Sequence, residues 1–354
     1  MSLPARVIDG RAYAADLKRG IATEVERLAQ AGTQPGLATL LVGDHYASAS
    51  YERRVRRLAE QLGCRYVCEH LPGDAAEADV VACVGKLGAD PRLSGILVLR
   101  PLPAWVSEAV VYHALDPLKD IEAVHPVNAG LLALGRPRYI PSTPASVFHM
   151  LDRHLRETGY DPQDVYSRSN MVIVGRSNNV GKPAILLGLA KGATLLSCDV
   201  SSFKAGLLYE HTRQADILIV AAGVPGLITG EHLKPGAIVI DVGINPVEDP
   251  HSGRVKLVGD IDFDGAAAVA GAVSPVPGGV GPITDVWLLK NTVAAAKLAM
   301  GVVAAQSAMD GAPSLALAAS ERSTHQWLSM SHQLLAGYAA SVPCPGLERD
   351  AAVR

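Results

Sequence analysis

Short apolar segments that end in glycine, proline or aspartate recur along this chain and alternate with stretches of helical periodicity. In the first half they lie at 36–44, 66–72 and 94–103. In the second half they lie at 171–175, 193–199, 216–223, 237–243 and 272–279. Strands that alternate with helices predict parallel sheets with both faces covered. The sequence therefore predicts an α/β protein with two sheets.

The length of 354 residues is enough for two domains of ordinary size and a tail. We expect an N-terminal domain at 1–149, completed by a returning apolar helix at 284–304, and a Rossmann-type domain at 150–283. Residues 305–354 are rich in alanine and serine, so we expect a weakly structured extension with a fragile helix near 325–335.

The net charge of −3 and the lack of a long uncharged apolar run restrict the partners of the chain. Without a basic surplus it does not attract nucleic acid or an anionic membrane. No window reaches the ~18 apolar residues of a membrane span, and the start lacks the apolar core of a signal peptide. The five cysteines and the histidines lack the spacing of a metal site. We expect a cytoplasmic protein that acts on small molecules and holds no metal.

The segment MVIVGRSNNVGKP at 171–183 combines an apolar strand, a tight turn and a helix start. Such a turn presents backbone N–H groups to a pyrophosphate, here with Gly175, Ser177 and Gly181 in the pattern G-x-S-x-x-x-G. The turn alone is a weak signal, since many strand-to-helix turns use glycine only for geometry. Small-residue loops at 221–226 and 241–245 follow two further strands, where a dinucleotide crosses strand ends. Together they predict a nicotinamide cofactor site.

Several segments, in this order and spacing, resemble the methylenetetrahydrofolate dehydrogenase/cyclohydrolase family. In the second half they are VGRSNNVGKP, DILIVAAGVPG, GAIVIDVGIN and SPVPGGVGPIT, and in the first half LLVGDHYASASY, GILVLRPLP and KDIEAVHP. The likeness runs from about residue 5 to residue 300. It implies two α/β domains with a cleft between them, a tetrahydrofolate substrate on the first, NADP or NAD on the second, and a homodimer.

The matching motifs, together with the strand ends, imply a set of site residues. The expected cofactor-binding residues are Gly175, Arg176, Ser177, Gly181, Asp199 and Ile244. The expected folate-binding residues are Tyr51, Glu122, Pro275, Gly278 and Gly279. Tyr51 matches the tyrosine that stacks on folate, and Glu122 stands where the family has an aspartate that holds the pterin. These two are also the expected catalytic residues.

Besides Glu122, two further positions of the cleft depart from the family pattern. Val55 stands where the family has a lysine, and Leu99 stands where it has a glutamine before Leu-Pro-Leu-Pro. Oxidation of the methylene bridge moves a hydride to nicotinamide and depends mainly on positioning. Hydrolysis of the methenyl product needs proton transfer, which valine and leucine cannot perform, and Arg54 or Arg56 is too weak an acid to replace the lysine. We expect a dehydrogenase with absent or weak cyclohydrolase activity.

The sequence leaves the cofactor and the exact activity open. Arg176 suits the 2′-phosphate of NADP, whereas Asp199 either binds the ribose of NAD or is an ordinary cap at a strand end. We expect NADP or NAD, with a slight preference for NADP. A non-catalytic folate- or nucleotide-binding paralogue, or a dehydrogenase that acts on a different substrate, would share many of these features.

Overall fold

The computed structural model describes residues 5–248 and 255–311, with the backbone alone for 302–311. In chain order the strands are β1 (Arg6–Val7), β2 (Gly36–Val42), β3 (Arg65–Leu71), β4 (Gly95–Val98), β5 (Asn170–Val174), β6 (Thr194–Cys198), β7 (Ile217–Val220), β8 (Ile238–Asp241), β9 (Asn245–Glu248), β10 (Val255–Val258) and β11 (Ala272–Val273). The helices are α1 (Gly10–Gln30), α2 (Tyr46–Gln61), α3 (Glu77–Ala89), α4 (Glu108–His113), α5 (Pro126–Ala133), α6 (Ser142–Glu157), α7 (Pro162–Arg168), α8 (Gly181–Ala190), α9 (Val200–Lys204), α10 (Leu208–Thr212), α11 (Phe263–Ala267) and α12 (Val280–Gly311).

The first sheet contains β3, β2 and β4 in that order, and all pairs are parallel. The central strand β2 is buried along its whole length, because helices cover both of its faces. Leu37 and Leu41 join a core cluster with residues of α1 and α2, whereas Ala38 and Leu40 join a cluster with residues of α3. A strand that is buried on both faces needs apolar residues at consecutive positions, as GLATLLV provides.

The second sheet is parallel, with the strand order β1-β11-β8-β7-β5-β6. The predicted α/β architecture is therefore confirmed. The edge strand β1 differs from the expected division of the chain. Arg6 and Val7 pair with Ala272 and Val273 of the second sheet, although the expected boundary placed Arg6 and Val7 in the N-terminal domain. A two-residue strand is too short to show a period of alternating residues, so no sequence pattern marked it.

The long helix α12 returns from the second sheet to the first. The Asn291 side chain donates hydrogen bonds to the backbone oxygens of Ile121 (2.7 Å) and Ile140 (2.8 Å). Val286, Leu289 and other buried residues of α12 lie in the same core cluster as residues of α1 and α2. The helix starts at Val280, four residues before the start expected from the sequence. No described helix is both long enough and apolar enough to cross a membrane.

Several elements differ from the sequence expectation. The helix that Thr143 was expected to open, about ten residues long, covers the 16 residues of α6. The apolar segment at 94–103 forms only the four-residue strand β4, because Pro101 and Pro103 have no N–H to donate to a strand ladder. The antiparallel pair of β9 and β10 was not expected. The expected helix at 325–335 lies outside the described residues.

Candidate functional site

A cavity of about 1000 Å³ lies where side chains of the first half of the chain meet loops of the second. From the first half it is lined by residues of α2, by the end of β4 and by the segment that contains Glu122. From the second half it is lined by Asn179, by Val242 and Ile244 after β8, and by the start of α12. Open parallel sheets bind ligands beyond the carboxyl ends of their strands. The cavity occupies that place in both sheets, and Tyr51, Leu99, Glu122 and Ile244 of the expected site line it.

Glu122 is positioned by a buried carboxylate two residues earlier. Asp120 is fully buried and accepts hydrogen bonds from the backbone N–H groups of Val124 (3.1 Å) and His125 (2.9 Å) and from the Asn128 side chain (2.8 Å). These bonds fix the loop that directs Glu122 into the cavity. Burial raises the pKa of Glu122 to about 7, and the Ser142 N–H that points at its carboxylate only partly offsets this. Glu122 therefore titrates near neutral pH.

Tyr51 lies on α2 beside the other charged groups of the cavity. Burial raises the pKa of Tyr51, and the nearby carboxylates of Asp285 and Glu122 raise it further, while Arg54 and Arg100 oppose them. The phenol is therefore neutral at any working pH. Its ring is a flat, partly apolar surface on the cavity wall, which suits stacking against a planar ligand.

Val55 and Leu99 present no polar group to the cavity. Val55 is 0% exposed, belongs to the core cluster of α1 and α2, and is not among the cavity-lining residues. Leu99 is 3% exposed and lines the cavity with its apolar side chain. At both positions the described structure offers no group that transfers a proton.

An ion pair lies on the cavity wall, and the sequence analysis had considered only one of its two partners, Arg54. Arg54 of α2 donates to Asp285 of α12, with Nε–Oδ2 at 2.5 Å and Nη2–Oδ1 at 3.2 Å. Arg56, the other arginine considered as a replacement for the family's lysine, donates to Glu52 of its own helix and does not line the cavity. Asp285 was missed, although a carboxylate directly after the motif SPVPGGVGPIT, in an apolar helix, is the signal that marks it.

A second polar contact crosses the cavity between Arg100 and Asn179. With the Asn179 amide oriented so that its oxygen faces Arg100, the guanidinium Nε donates to it at 3.0 Å. Arg100 follows β4, and its backbone oxygen accepts from the Ser48 hydroxyl at 2.7 Å. Asn179 belongs to the turn between β5 and α8. The contact joins the end of the first sheet to the expected cofactor turn, and the sequence analysis did not predict it.

The turn after β5 has the tight geometry expected of a phosphate-binding turn. Gly175 has a φ of 113°, and a Cβ there would lie 2.1 Å from the backbone oxygen of Ala221. A Cβ at Gly181 would lie 2.1 Å from the backbone oxygen of Gly175. The Ser177 hydroxyl accepts from the N–H groups of Val180 at 3.2 Å and Gly181 at 3.4 Å, where the turn leads into α8. Only glycine fits at these two positions.

A buried carboxylate that the sequence analysis missed supports the neighbouring loop. Asp260 is fully buried and accepts hydrogen bonds from the N–H groups of Ala222 (2.6 Å) and Gly223 (2.9 Å) and from the Asn245 side chain (2.8 Å). It thus ties the loops after β7 and β8 together. The alternation of apolar residues could not reveal it, because Asp260 follows a strand as many surface aspartates do.

Arg176 and Asp199 contact each other at the strand ends of β5 and β6. Arg176 Nη1 lies 2.9 Å from Asp199 Oδ2, and Nε and Nη2 bind the hydroxyl and backbone oxygens of Ser197 at 2.8 and 2.6 Å. The other oxygen, Oδ1, accepts from the N–H groups of Ser201 (3.0 Å) and Ser202 (3.2 Å) at the start of α9. Asp199 is therefore a helix cap and an ion-pair partner at once.

The motif PVPGGVGP forms the connection from β11 to α12. Gly278 has a φ of 114°, and its backbone oxygen accepts from the N–H of Gly10 at 2.9 Å. A Cβ at Gly279 would lie 2.7 Å from the backbone oxygen of Pro275. Pro275, Gly278 and Gly279 do not line the cavity themselves, whereas Val280 and Gly281 do. The three residues shape the turn that brings α12 to the cavity.

Two family models match this chain. The catalytic domain of tetrahydrofolate dehydrogenase/cyclohydrolase matches residues 8–122, and the NAD(P)-binding domain of the same family matches residues 141–300. Bifunctional protein FolD 3 of Rubrobacter xylanophilus is 66% identical over 83% of this chain and 92% of its own length. The chain belongs to the tetrahydrofolate dehydrogenase/cyclohydrolase family.

Solved structures of this family have the same fold. The Trypanosoma brucei N5,N10-methylenetetrahydrofolate dehydrogenase-cyclohydrolase (FolD), complexed with NADP cofactor and inhibitor, is 34% identical, with a TM-score of 0.77 over 84% of this chain and 99% of that one. The bifunctional enzyme FolD from Campylobacter jejuni is 35% identical, with a TM-score of 0.76 over 83% of this chain and 99% of that one.

In this member of the dehydrogenase/cyclohydrolase family the cavity lies between parts of the two matched domains. Residues of the catalytic domain, including Tyr51 and Glu122, face Ile244 and Asn179 of the NAD(P)-binding domain. Such an arrangement can hold two ligands side by side and exclude water between them. It suits direct transfer between a substrate and a nicotinamide.

Proposed function

We propose that this protein is an NAD(P)-dependent 5,10-methylenetetrahydrofolate dehydrogenase whose cyclohydrolase activity is absent or severely weakened. The reaction moves a hydride from the methylene bridge to the nicotinamide and yields 5,10-methenyltetrahydrofolate. The substrate occupies the catalytic-domain side of the cavity, stacked on Tyr51, with Glu122 bound to the N–H groups of the pterin. The cofactor occupies the turn at Gly175 to Gly181, with Ile244 beside the cavity.

The hydride step requires little from the side chains beyond positioning. The nitrogens next to the methylene bridge stabilise the cation that forms, and the nicotinamide accepts the electron pair. What the protein supplies is a common orientation of the two ligands, which accounts for a large part of the rate of such reactions. The cavity shared by the two matched domains supports this role.

The hydrolytic step has different requirements. Water attack on the methenyl cation needs a group that moves a proton to the leaving nitrogen, and such catalysis contributes about 10²- to 10⁴-fold. The observation that carries the proposal is the apolar environment of Val55, a fully buried core residue where the family pattern has the lysine. Leu99 replaces the glutamine beside it, and Arg54 is too weak an acid to act in their place.

The name of one relative runs against the proposed loss of cyclohydrolase activity. FolD 3 of Rubrobacter xylanophilus is called bifunctional and is 66% identical to this chain. Within the cavity, Glu122 has a pKa raised by burial to about 7 and is the group that would rescue hydrolysis if the pterin did not engage it. A methenyl hydrolysis rate that followed the ionisation of Glu122 would therefore contradict the proposal.

NADP is the proposed cofactor, with NAD as the alternative. The Trypanosoma brucei relative was solved with NADP, and Arg176 places a guanidinium at the strand ends where a 2′-phosphate would lie. Asp199 is the opposing signal, since its Oδ2 faces the same guanidinium. The homodimer implied by the family resemblance stays a prediction.

The test is an assay with methylenetetrahydrofolate and NADP, then NAD, in which the reduced nicotinamide and the methenyl product are followed at separate wavelengths. We expect reduced cofactor and methenyl product to accumulate together, and added methenyl product to decay at its uncatalysed rate. Rapid loss of the methenyl signal would show an active cyclohydrolase. No reduced cofactor with either nucleotide would favour the non-catalytic binder or a different substrate.

A further inference from the structure

The cleft contains a guanidinium fixed by a carboxylate, and the hydride step proposed above uses neither. Arg54 and Asp285 lie 231 residues apart in the sequence and form two hydrogen bonds, Nε–Oδ2 at 2.5 Å and Nη2–Oδ1 at 3.2 Å. Both residues line the cavity. Asp285 is 8% exposed, whereas about half of the Arg54 side chain remains accessible. The pair therefore presents the guanidinium, and not the carboxylate, to a ligand.

The position of Arg54 follows from helix geometry. Successive residues of an α-helix are rotated by about 100°, so neighbours on α2 face different surroundings. Val55 turns into the core, while Arg54, one residue earlier, turns to the cavity. The family pattern has a lysine four residues after Tyr51, whereas this chain has a cation, Arg54, three residues after Tyr51. Arg54 cannot perform the proton transfer of a lysine, but it keeps a positive charge in the cleft.

The guanidinium is held in one orientation and keeps donors for a ligand. Its Nε and Nη2 atoms bind Asp285, and its central carbon lies 5.0 Å from the centre of the Tyr51 ring. Arginine has five N–H donors. Nη1 has no hydrogen-bond partner among the residues that the structure describes. A fixed guanidinium that keeps its Nη1 donors next to the ring of Tyr51 is suited to a planar ligand with an oxygen acceptor at its edge.

We propose that Arg54 binds an oxygen acceptor of the folate substrate next to Tyr51 and that Asp285 is the positioning residue for Arg54. The proposal rests on the proposed function, because it names the folate as the ligand. The acceptor is a carboxylate of the glutamate tail or a carbonyl oxygen of the ring system or benzoyl group. Asp285 has a second effect, since it cancels the guanidinium charge in a cleft where hydride transfer creates a cationic product.

The first test compares Arg54→Met with Arg53→Met. Arg53 is the preceding residue of the same helix, is exposed, and does not line the cavity. Loss of a charge-assisted hydrogen bond should raise the KM for methylenetetrahydrofolate about tenfold in Arg54→Met. The KM for the nucleotide and the kcat should stay within about twofold, and Arg53→Met should match the wild type. Arg54→Lys should recover part of the loss, because it restores the charge without the fork.

The role of Asp285 is tested by a double-mutant cycle. Asp285→Asn should raise the folate KM and lower kcat, because the guanidinium is then less well held and its charge is no longer cancelled. If Asp285 acts through Arg54, Asp285→Asn should add almost nothing to the KM of Arg54→Met. Melting temperatures of all variants are measured, and Arg54→Gln serves as a second variant if Arg54→Met does not fold. Additive effects in the cycle would refute the positioning role.

Direct binding separates this proposal from the proposed function. Titration of tetrahydrofolate into the wild type without nucleotide should show binding that Arg54→Met weakens about tenfold. No binding to the wild type would refute the proposed function. Equal binding to the wild type and to Arg54→Met would refute the role of Arg54 alone. Tetrahydropteroate, which lacks the glutamate, locates the acceptor: the Arg54 effect disappears if the acceptor is the glutamate and persists if it is a carbonyl.

Discussion

On the cofactor side of the cleft backbone atoms determine the geometry, whereas on the folate side charged side chains do. The turn at Gly175 and Gly181 is fixed by contacts that leave no room for a Cβ, and Asp260 holds the adjoining loop through backbone N–H groups. The folate side carries Glu122 and the pair of Arg54 and Asp285. Backbone geometry tolerates few substitutions, while side chains can be exchanged singly.

The difference between backbone and side-chain control explains why the two sides of the cleft relate differently to the family pattern. The cofactor turn matches the family motif, and each glycine in it has a steric reason to remain. The folate side keeps Tyr51 but has valine and leucine where the pattern has lysine and glutamine. We infer that the chain retains the step that depends on positioning and has lost the step that depends on side-chain proton transfer.

The largest expected effect is on the cofactor side. Gly175→Ala should lower dehydrogenase activity more than about a hundredfold, because its Cβ would meet the backbone oxygen of Ala221 at 2.1 Å in a conformation with a φ of 113°. Tetrahydrofolate binding should remain within a few fold if the two sides are independent. The control for a glycine with positive φ is Gly206→Ala, because Gly206 has a φ of 73° and a Cβ there would meet no atom within 4 Å. Steady-state kinetics measures the dehydrogenase activity, and titration measures tetrahydrofolate binding. Loss of folate binding in a folded Gly175→Ala would contradict the independence of the two sides.

The next expected effect is a gain on the folate side. Val55→Lys with Leu99→Gln should raise methenyl hydrolysis about tenfold or more above the uncatalysed rate, because it restores a group able to transfer a proton. The same change should lower the melting temperature, because Val55 is 0% exposed and a lysine there places polar atoms against the core.

The matched control for that gain is Val55→Met with Leu99→Met, which lengthens both side chains without a polar group. It should hydrolyse the methenyl compound no faster than the wild type. If the lysine–glutamine variant folds, retains dehydrogenase activity and still shows no gain, the folate side has diverged beyond these two positions.

How much of this was visible in the sequence depends on the kind of pattern involved. The buried strands were readable because both of their faces need apolar residues, as Leu37 to Leu41 show. Tyr51 and Glu122 were found because they stand inside motifs. Asp285 and Asp260 stand outside the quoted motifs, and Asn179 stands inside one, but the role of each depends on a partner far away in the chain, such as Arg54 for Asp285. Sequence periodicity carries no information about such pairs.

A pH effect of intermediate size follows from Glu122. Burial raises its pKa to about 7, so the carboxylate proposed to bind pterin N–H groups forms as pH rises through 7. The folate KM of the wild type should therefore fall between pH 6 and pH 8, whereas Glu122→Gln should show a flat profile with a KM about tenfold higher at pH 8. Glu108→Gln changes an exposed carboxylate of α4 that does not line the cavity, and it should behave as the wild type does. A wild-type KM that rises with pH would contradict this role.

The same group affects the stability of the empty protein. Its folded pKa lies above its ordinary value of 4.5, so the ionised form is disfavoured in the fold. Stability should decrease as pH rises from about 4.5 to about 7, by about 1–2 kcal/mol from this group. Glu122→Gln should lack this part of the decrease, which thermal unfolding at a series of pH values measures. Equal pH profiles for the two proteins would show that Glu122 ionises freely.

The smallest expected effect concerns the choice of nucleotide at Asp199. Asp199→Asn removes the charge that opposes a 2′-phosphate and that pairs with Arg176 at 2.9 Å. Asparagine still caps α9, since its side-chain oxygen can accept from the N–H of Ser201 as Oδ1 does now. The ratio of kcat/KM for NADP to that for NAD should therefore shift about three- to tenfold towards NADP, with little change in melting temperature.

A matched control is available in Asp161, which caps α7 through the N–H of Gln163 at 2.7 Å. Asp161→Asn should leave the nucleotide ratio unchanged, since the structure places no arginine contact at that carboxylate among the described residues. An unchanged ratio in Asp199→Asn as well would mean that Asp199 is only a cap and that Arg176 meets the 2′-phosphate without competition. Arg176 would then be the one charged side chain proposed to act on the cofactor side, beside a turn that backbone geometry determines.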